Sequence, residues 1–330
     1  WVNKTSGEVY ICTDATAGEN VWTNVGAGSG NIEPFSLAGT EFGYSAGGHT
    51  TPTSRVNTIE KYSFTSDGNA TDVGDITQAR LAPNGNSSRT HGYIQGGSAP
   101  PAVNVVDKFS FASGGNATDV GDKTQAEDYM AGASNESYGF SSGGNSYTNV
   151  IDKTSFSSDA NSVDHGDLHT GVHSASGHSS DSYGYSAGGS KSPPNNTDNN
   201  SIQKYSMASN SNATDAADIT DARSALSGAS SSTDGYVMGG YNYQSPAGYV
   251  VTVDKFSFAS DTNSTYQRDL NTATGWSGGS SSTTYGYAHG GETSSKINNI
   301  QKFAYANSSN GTDVGDLTIA RMYLPSDINR

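Results

Sequence analysis

A single cysteine, Cys12, stands among 330 residues, which excludes an internal disulfide framework and any cysteine-rich zinc or iron–sulfur site. The redox compartment therefore stays open. Positive charge is scarce too: 17 Lys and Arg face 32 Asp and Glu, for a formal charge of −15. Such a surface repels phosphate backbones and anionic membranes, and the basic residues form no dense run, so nucleic acid is not an expected partner. No apolar run approaches the roughly 20 residues a bilayer-spanning helix needs, so membrane insertion is not expected either. The opening "WVNKTSGEVY" has neither the pattern of a signal peptide nor an initiating Met, and the chain reads as a piece of something longer or a processed product. Hydrophobic residues make up only 32% while Gly alone numbers 41; that balance suits disorder or a β-rich fold, and periodicity decides between them.

What the chain has in abundance is repetition. An aromatic, two residues and a Gly pair occur as "GYSAGG" (Gly43), "GYIQGG" (Gly92), "GFSSGG" (Gly139), "GYSAGG" (Gly184), "GYVMGG" (Gly235) and "GYAHGG" (Gly286), in steps of 49, 47, 45, 51 and 51 residues. After a loop of varying length each copy resumes with "IEKYSF" (Ile59), "VDKFSF" (Val106), "IDKTSF" (Ile151), "IQKYSM" (Ile202), "VDKFSF" (Val253) or "IQKFAY" (Ile300). Alternating β-branched, polar and aromatic residues over this length predict a strand. A turn rich in Ser, Asp, Gly and Asn follows, then "ATDVGDIT" or a relative, then a small-residue segment leading to the next copy. Four strands per unit is the economical reading.

A unit of four short strands cannot bury both faces alone, so successive sheets must stack, and radial closure hides nearly every edge. The expected fold is all-β, a β-propeller. Small residues in each first strand suit a crowded axis, and Tyr93, Phe109, Tyr236 and Phe256 would fill the spaces between blades. A solenoid is the runner-up, although its repeats are usually shorter.

The order "AR", small-residue strand, "GYxxGG", variable loop, "VDKFSF" resembles a divergent kelch repeat over residues 31–330, with "TDVGD" standing where that family usually carries a last-strand Trp. The resemblance implies a propeller of six or seven blades. "GEVYICTDATAGENVWTNVG" (Gly7 to Gly26) reads as a β-hairpin within residues 1–30 and resembles small hairpins of bacteriophage tail-fibre and other virion proteins, while "NATDVGDLT.AR" is similar to repeat proteins of marine phages. Val25 and Gly26 stand where Val73 and Gly74 stand in a full unit, so the hairpin reads as the outer half of a closing blade, with "IARMYLPS" as its inner strand. That composite leans toward seven blades over six.

Several motifs invite a chemical reading. The G-x-S-x-G pattern around Ser45, Ser141 and Ser186 matches a hydrolase elbow, yet the other copies hold Ile94, Val237 and Ala288, as a strand position would. His165, His169 and His173 are weak metal candidates, because residues four apart on a strand lie too far apart to share one ion; surface or inter-blade histidines, or a pH-responsive patch, are the other readings. The pairs Asp72/Asp75, Asp119/Asp122, Asp215/Asp218 and Asp313/Asp316 read as calcium ligands, as catalytic acids, or as partners of the recurrent Lys61, Lys108, Lys153, Lys204, Lys255 and Lys302. Their recurrence favours structural ion pairs, so no cofactor is expected unless calcium binds. Sequons at Asn69, Asn116, Asn212, Asn263 and Asn310 sit where the turn needs a left-handed residue. Cys12 lies outside the full repeats, against a Cys–Tyr copper oxidase.

The turn phrase barely varies from copy to copy, whereas the second-to-third-strand loops vary freely: "HTTPTSRVNT", "SAPPAVN", "NSYTN", "SKSPPNNTDNNS", "YNYQSPAGYVVT" and "ETSSKINN". The repeated phrase is scaffold, and the unrepeated loops are left for recognition. Candidate ligand-binding residues are Tyr241, Tyr243 and Tyr249 in one loop, with Arg55 and Tyr147 in two others, and Arg80, Arg223 and Arg321 approaching the same face; pairing of those arginines with acids is the alternative. The expected function is a non-enzymatic virion structural and recognition protein, a tail or fibre component that contacts other virion proteins and binds a host-surface glycan or protein. The alternative is a secreted or cell-surface bacterial propeller for adhesion or assembly; a glycan-cleaving enzyme ranks third. The expected location is the virion or the cell exterior.

Overall fold

The computed structural model describes residues 1–3, 8–16, 20–25, 36–51, 54–191, 197–244, 246–326 and 328–329, and every regular element among them is a β-strand. Two units divide the chain, Trp1–Ser36 and Leu37–Arg330. In the first, Tyr10–Asp14 and Val21–Asn24 pair antiparallel, with Ile11 opposite Thr23 and Cys12 opposite Trp22. This is the hairpin expected from the sequence; Gly7 and Gly26, which bound that stretch, lie outside the described residues.

In the larger unit, five antiparallel four-stranded sheets follow the repeats in order. One of them comprises Asn84–Ser87, His91–Gln95, Val105–Ser110 and Thr118–Asp122, paired as a simple meander. In its third strand Val106 and Asp107 are both fully buried although they point to opposite faces, so both faces of the sheet are covered. Thin sheets covered on both sides must stack on neighbours, as the repeat pattern implied.

The first repeat supplies three strands, Phe42–Ala46, Thr58–Ser63 and Thr71–Asp75. Its inner place is filled from the far end of the sequence: Asn329 bridges Gly43, and Tyr44 N–H donates to Ile328 O at 3.0 Å. Arg321–Met322 pairs with His49–Thr50. This corrects the expectation that residues 319–326 form the inner strand of a blade begun by the hairpin. Asn329 takes the place because its side chain offers the acceptor that a serine offers in every other repeat.

That acceptor belongs to a circuit. Ser87 N–H donates to Ser134 Oγ (3.2 Å), Ser134 to Ser179 (2.9 Å), Ser179 to Ser230 (3.2 Å), Ser230 to Ser281 (2.8 Å), Ser281 to Asn329 Oδ1 (2.8 Å), and Asn329 to Ser87 Oγ (2.9 Å). The donors return to their start. Between these strands the backbones nearly touch, and a Cβ on Gly177 would collide with the carbonyl of Gly132; small inner strands are required by that approach.

A second circuit runs at the outer strands. The backbone N–H of Asp75 donates to Asn116 Oδ1 (3.0 Å), Asp122 to Asn161 (3.0 Å), Asp167 to Asn212 (3.1 Å), Asp218 to Asn263 (3.1 Å), Asp269 to Asn310 (3.2 Å) and Asp316 to Asn69 (3.1 Å). The sequon asparagines are therefore tethers between sheets. Positive φ falls on the neighbouring Gly68 (155°) and Gly115 (90°) instead, which corrects the left-handed reading of Asn69 and Asn116. Aromatic pairs stitch the space between: Tyr44 stacks on Phe111 at 4.8 Å, Tyr93 on Phe156 at 4.6 Å, Tyr185 on Phe258 at 5.0 Å, Tyr236 on Tyr305 at 4.7 Å, and Tyr287 on Phe64 at 4.8 Å. The all-β arrangement of repeated antiparallel sheets is compatible with a β-propeller.

Candidate functional site

Where each repeat passes from its outer strand into the next inner strand, one residue adopts the left-handed backbone conformation: Ala82 (φ 50°), Tyr129 (59°), Ser174 (55°), Ala225 (58°), Trp276 (52°) and Tyr323 (61°). For an aromatic residue this conformation is unfavourable unless the surroundings enforce it. Hydrogen bonds between the repeats enforce it here. Ala82 N–H donates to Tyr323 O (2.9 Å), Tyr129 to Ala82 (3.0 Å), Ser174 to Tyr129 (2.9 Å), Leu226 to Ser174 (3.4 Å), Trp276 to Ala225 (2.9 Å) and Tyr323 to Trp276 (2.9 Å).

Three positions of this ring carry aromatic side chains. Trp276 meets Tyr323 edge-on at 5.4 Å, and Tyr323 meets Tyr129 at 5.2 Å. The three line both a cavity of about 50 Å³ and a basin of about 520 Å³. Tyr147 and Tyr243 add apolar surface to the basin, while Asn145, His173, Ser174, Ser190 and Ser224 supply amide, imidazole and hydroxyl groups. The volume suits a small ligand.

The loops around the basin are tied down. Tyr243 packs on Tyr241 at 4.5 Å, Tyr241 on Tyr249 at 5.0 Å, and Tyr249 on Trp276 at 6.0 Å. Tyr249 donates to Glu292 Oε2 at 2.9 Å, and Tyr243 N–H donates to Asp198 Oδ2 at 2.9 Å. Tyr147 stands edge-on to His173 at 4.9 Å. Burial depresses the pKa of His173, which keeps its imidazole neutral near pH 7. Burial, chiefly, and the neighbouring Glu127 push the Asp128 carboxyl up to about 6.

Of the residues singled out from the sequence, Tyr147 and Tyr243 line the basin, and Tyr241 and Tyr249 buttress it. Arg55 lies outside the lining, its Nε donating to Ser98 O at 2.9 Å. Arg80, Arg223 and Arg321 follow the acid-pairing alternative and not the ligand-binding one: each is fully buried in an ion pair, with Asp107 (2.9 Å), Asp254 (3.0 Å) and Glu60 (3.4 Å) respectively. They join sheets and offer nothing to a ligand; a buried guanidinium needs a carboxylate partner to offset its lost hydration.

The histidines do not converge. His165 is buried against Phe140 with Nε2 2.6 Å from Ser206 O, His169 is exposed, and His173 stands at the basin. Among the described residues no group of three or more His, Cys, Asp or Glu is placed to hold a metal ion. The Asp–Lys pairing also differs from expectation. Lys108, Lys204 and Lys302 pair with Asp159, Asp261 and Asp67 in the turns, while Asp72 and Asp119 accept from Gly74 and Gly121 N–H, each at 3.1 Å. A side chain this short folds back on its own strand more readily than it reaches a lysine. Ser45, Ser141 and Ser186 are buried on their strands, as the strand reading of that pattern requires.

Sequence reasoning missed Tyr129, Trp276 and Tyr323. Their signal was present: two residues beyond the "AR" column the copies read Ala, Tyr, Ser, Ala, Trp and Tyr, and large rings at a position that small residues satisfy are not needed for folding. No protein-family model matches the chain, and no curated protein matches it.

Proposed function

We propose that the repeats form a six-bladed, kelch-like β-propeller whose aromatic basin binds a glycan of a host surface, without cleaving it. Six members in each hydrogen-bond circuit support six blades; the first blade takes its inner strand from residues 328–329. The observation that carries the ligand is the two-sided lining of the basin. Tyr129, Tyr147, Tyr243, Trp276 and Tyr323 present ring faces and edges, while Asn145, His173, Ser174, Ser190 and Ser224 present hydrogen-bonding groups. A pyranose needs both, an apolar face for its axial C–H groups and partners for its hydroxyls.

Together with the resemblance to virion repeat proteins, this supports a tail or fibre component whose other contacts are virion proteins. The test is oligosaccharide binding by titration calorimetry. The expected result is saturable binding without release of product sugars, lost in Trp276→Ala and retained in an Arg55→Ala control. A Trp276→Ala protein that binds like the parent would place the ligand elsewhere, and detection of cleaved sugar would make the protein an enzyme. Mass spectrometry of purified particles tests the virion assignment, and absence of the chain from them would favour a cell-surface protein.

A further inference from the structure

The lining of the basin is uncharged, but the groups that hold the lining in place are not. Asp198 accepts the backbone N–H of Tyr243, Glu292 accepts the phenol of Tyr249, Glu127 accepts Ser146 N–H at 3.3 Å beneath the loop that carries Tyr147, and Asp128 precedes Tyr129 in the chain. Asp198, Glu127 and Asp128 are buried, where their charge is screened less than on an open surface. Of the nearby cations, Arg55 donates its Nε to Ser98 O and acts on Asp128 only as the last of its influences, and Lys296 donates to Thr50 O at 3.1 Å. Lys191 follows Ser190 on the rim strand and is half-buried.

The phenols register the resulting field. Burial is the first cause opposing their ionisation, and carboxylates add to it: Asp128 on Tyr129, where Tyr323 contributes more, Asp198 on Tyr243, and Glu292 on both Tyr249 and Tyr323. Among these four phenols only Tyr129 feels an opposing cation, Arg55.

Building on the glycan reading, we infer that the sugar held in the basin is a neutral hexopyranose, and that sugars bearing a carboxylate are excluded by the acids packed behind Tyr129, Tyr243 and Tyr249. A sialic acid or uronic acid placed against the rings would lose hydration and meet like charge. A neutral ring loses neither its apolar contact nor its hydroxyl partners.

The experiment pairs neutral oligosaccharides with the same oligosaccharides capped by sialic acid or glucuronate, titrated into the intact chain at low and at high salt. The capped forms are expected to bind at least about tenfold more weakly at low salt, and the gap should narrow at high salt, where the Debye length shortens to about 3 Å. In an Asp128→Asn, Asp198→Asn double variant the gap should narrow at low salt as well. Equal or tighter binding of the capped forms by the parent protein overturns the inference and leaves the glycan reading intact. Absence of binding by every sugar, with Trp276→Ala indistinguishable from the parent, overturns both. The salt series on the parent protein decides the matter even if the double variant fails to fold.

Discussion

Arg223 Nη1 lies 3.0 Å from Asp254 Oδ2, both side chains enclosed, at the seam between two neighbouring repeats. One seam earlier, the same two columns hold Val172 and Gln203, and one seam later Thr274 and Gln301. Where the acid is present a cation answers it: Arg80 for Asp107, Arg321 for Glu60, and Lys123 at 2.6 Å for Asp152, in the seam where Glu127 occupies the arginine column. Each of these four acids thus has a cation of its own, and Glu127 adds one further carboxylate to the Lys123 seam.

Removing one partner should be costly and replacing both should not. Arg223→Val alone leaves Asp254 buried and uncompensated, and a loss of about 3–5 kcal/mol is expected in urea unfolding. Arg223→Val with Asp254→Gln copies the neighbouring seam, and most of that loss should return. A double variant no more stable than the single one would show that the pairs are not independent of their surroundings.

The ligand-facing rings should behave differently. Trp276→Ala and Tyr323→Ala are expected to weaken sugar binding at least about tenfold, since buried aromatic anchors carry a large share of such interfaces. Tyr266→Ala, which alters an exposed ring on an outer strand, should leave binding unchanged. Calorimetric titration compares the three.

Acid should destabilise the fold through two enclosed imidazoles. Burial holds His178 down to about 4 and His289 down to about 3, the latter helped by Arg321. Because the folded values lie below the unfolded one, their contribution is complete above pH 6.5 and fades as pH falls toward 3. Asp128, raised to about 6, has the opposite sign and regains stability as pH drops from 6 to 4. The net loss from these three groups is on the order of 5 kcal/mol. His178→Asn and His289→Gln, which copy Asn86 and Gln95 of other repeats, should flatten the acid limb of a pH–Tm curve; an unchanged limb would falsify the assignment.

Chelation offers a fourth check. Asp72, Asp119 and Asp313, the first members of three of the Asp pairs, accept from backbone N–H groups of their own strands, so EDTA is expected to leave Tm unmoved. The outer tethers should matter instead: Asn116→Ala strands the N–H of Asp75, at about 1 kcal/mol.

The strands and their order were legible because the repeat prints the same period-2 pattern many times over, and one ambiguous copy is resolved by its neighbours. Tyr147 and Tyr243 were legible as aromatics in loops that differ between copies. Arg80, Arg223 and Arg321 misled because a cation near a loop reads the same whether it faces solvent or a buried acid; only the matching exchange of Asp254 for Gln203 distinguishes the two, and it lies in another column about 30 residues away. Tyr129, Trp276 and Tyr323 were hidden in a segment that reads as small and featureless, and their convergence depends on residues nearly 200 positions apart sharing one ring of hydrogen bonds.

Asn329 supplies what Ser281 and Ser87 both await. Until that residue leaves the ribosome, the inner row of donors ends on Ser281 without its Asn329 acceptor, and the first repeat lacks the bridge from Gly43 to Asn329. Vectorial synthesis can therefore prepare the middle sheets in turn but must hold the two ends ajar, and the aromatic basin takes its final outline only when Tyr323 and the residues just after it arrive.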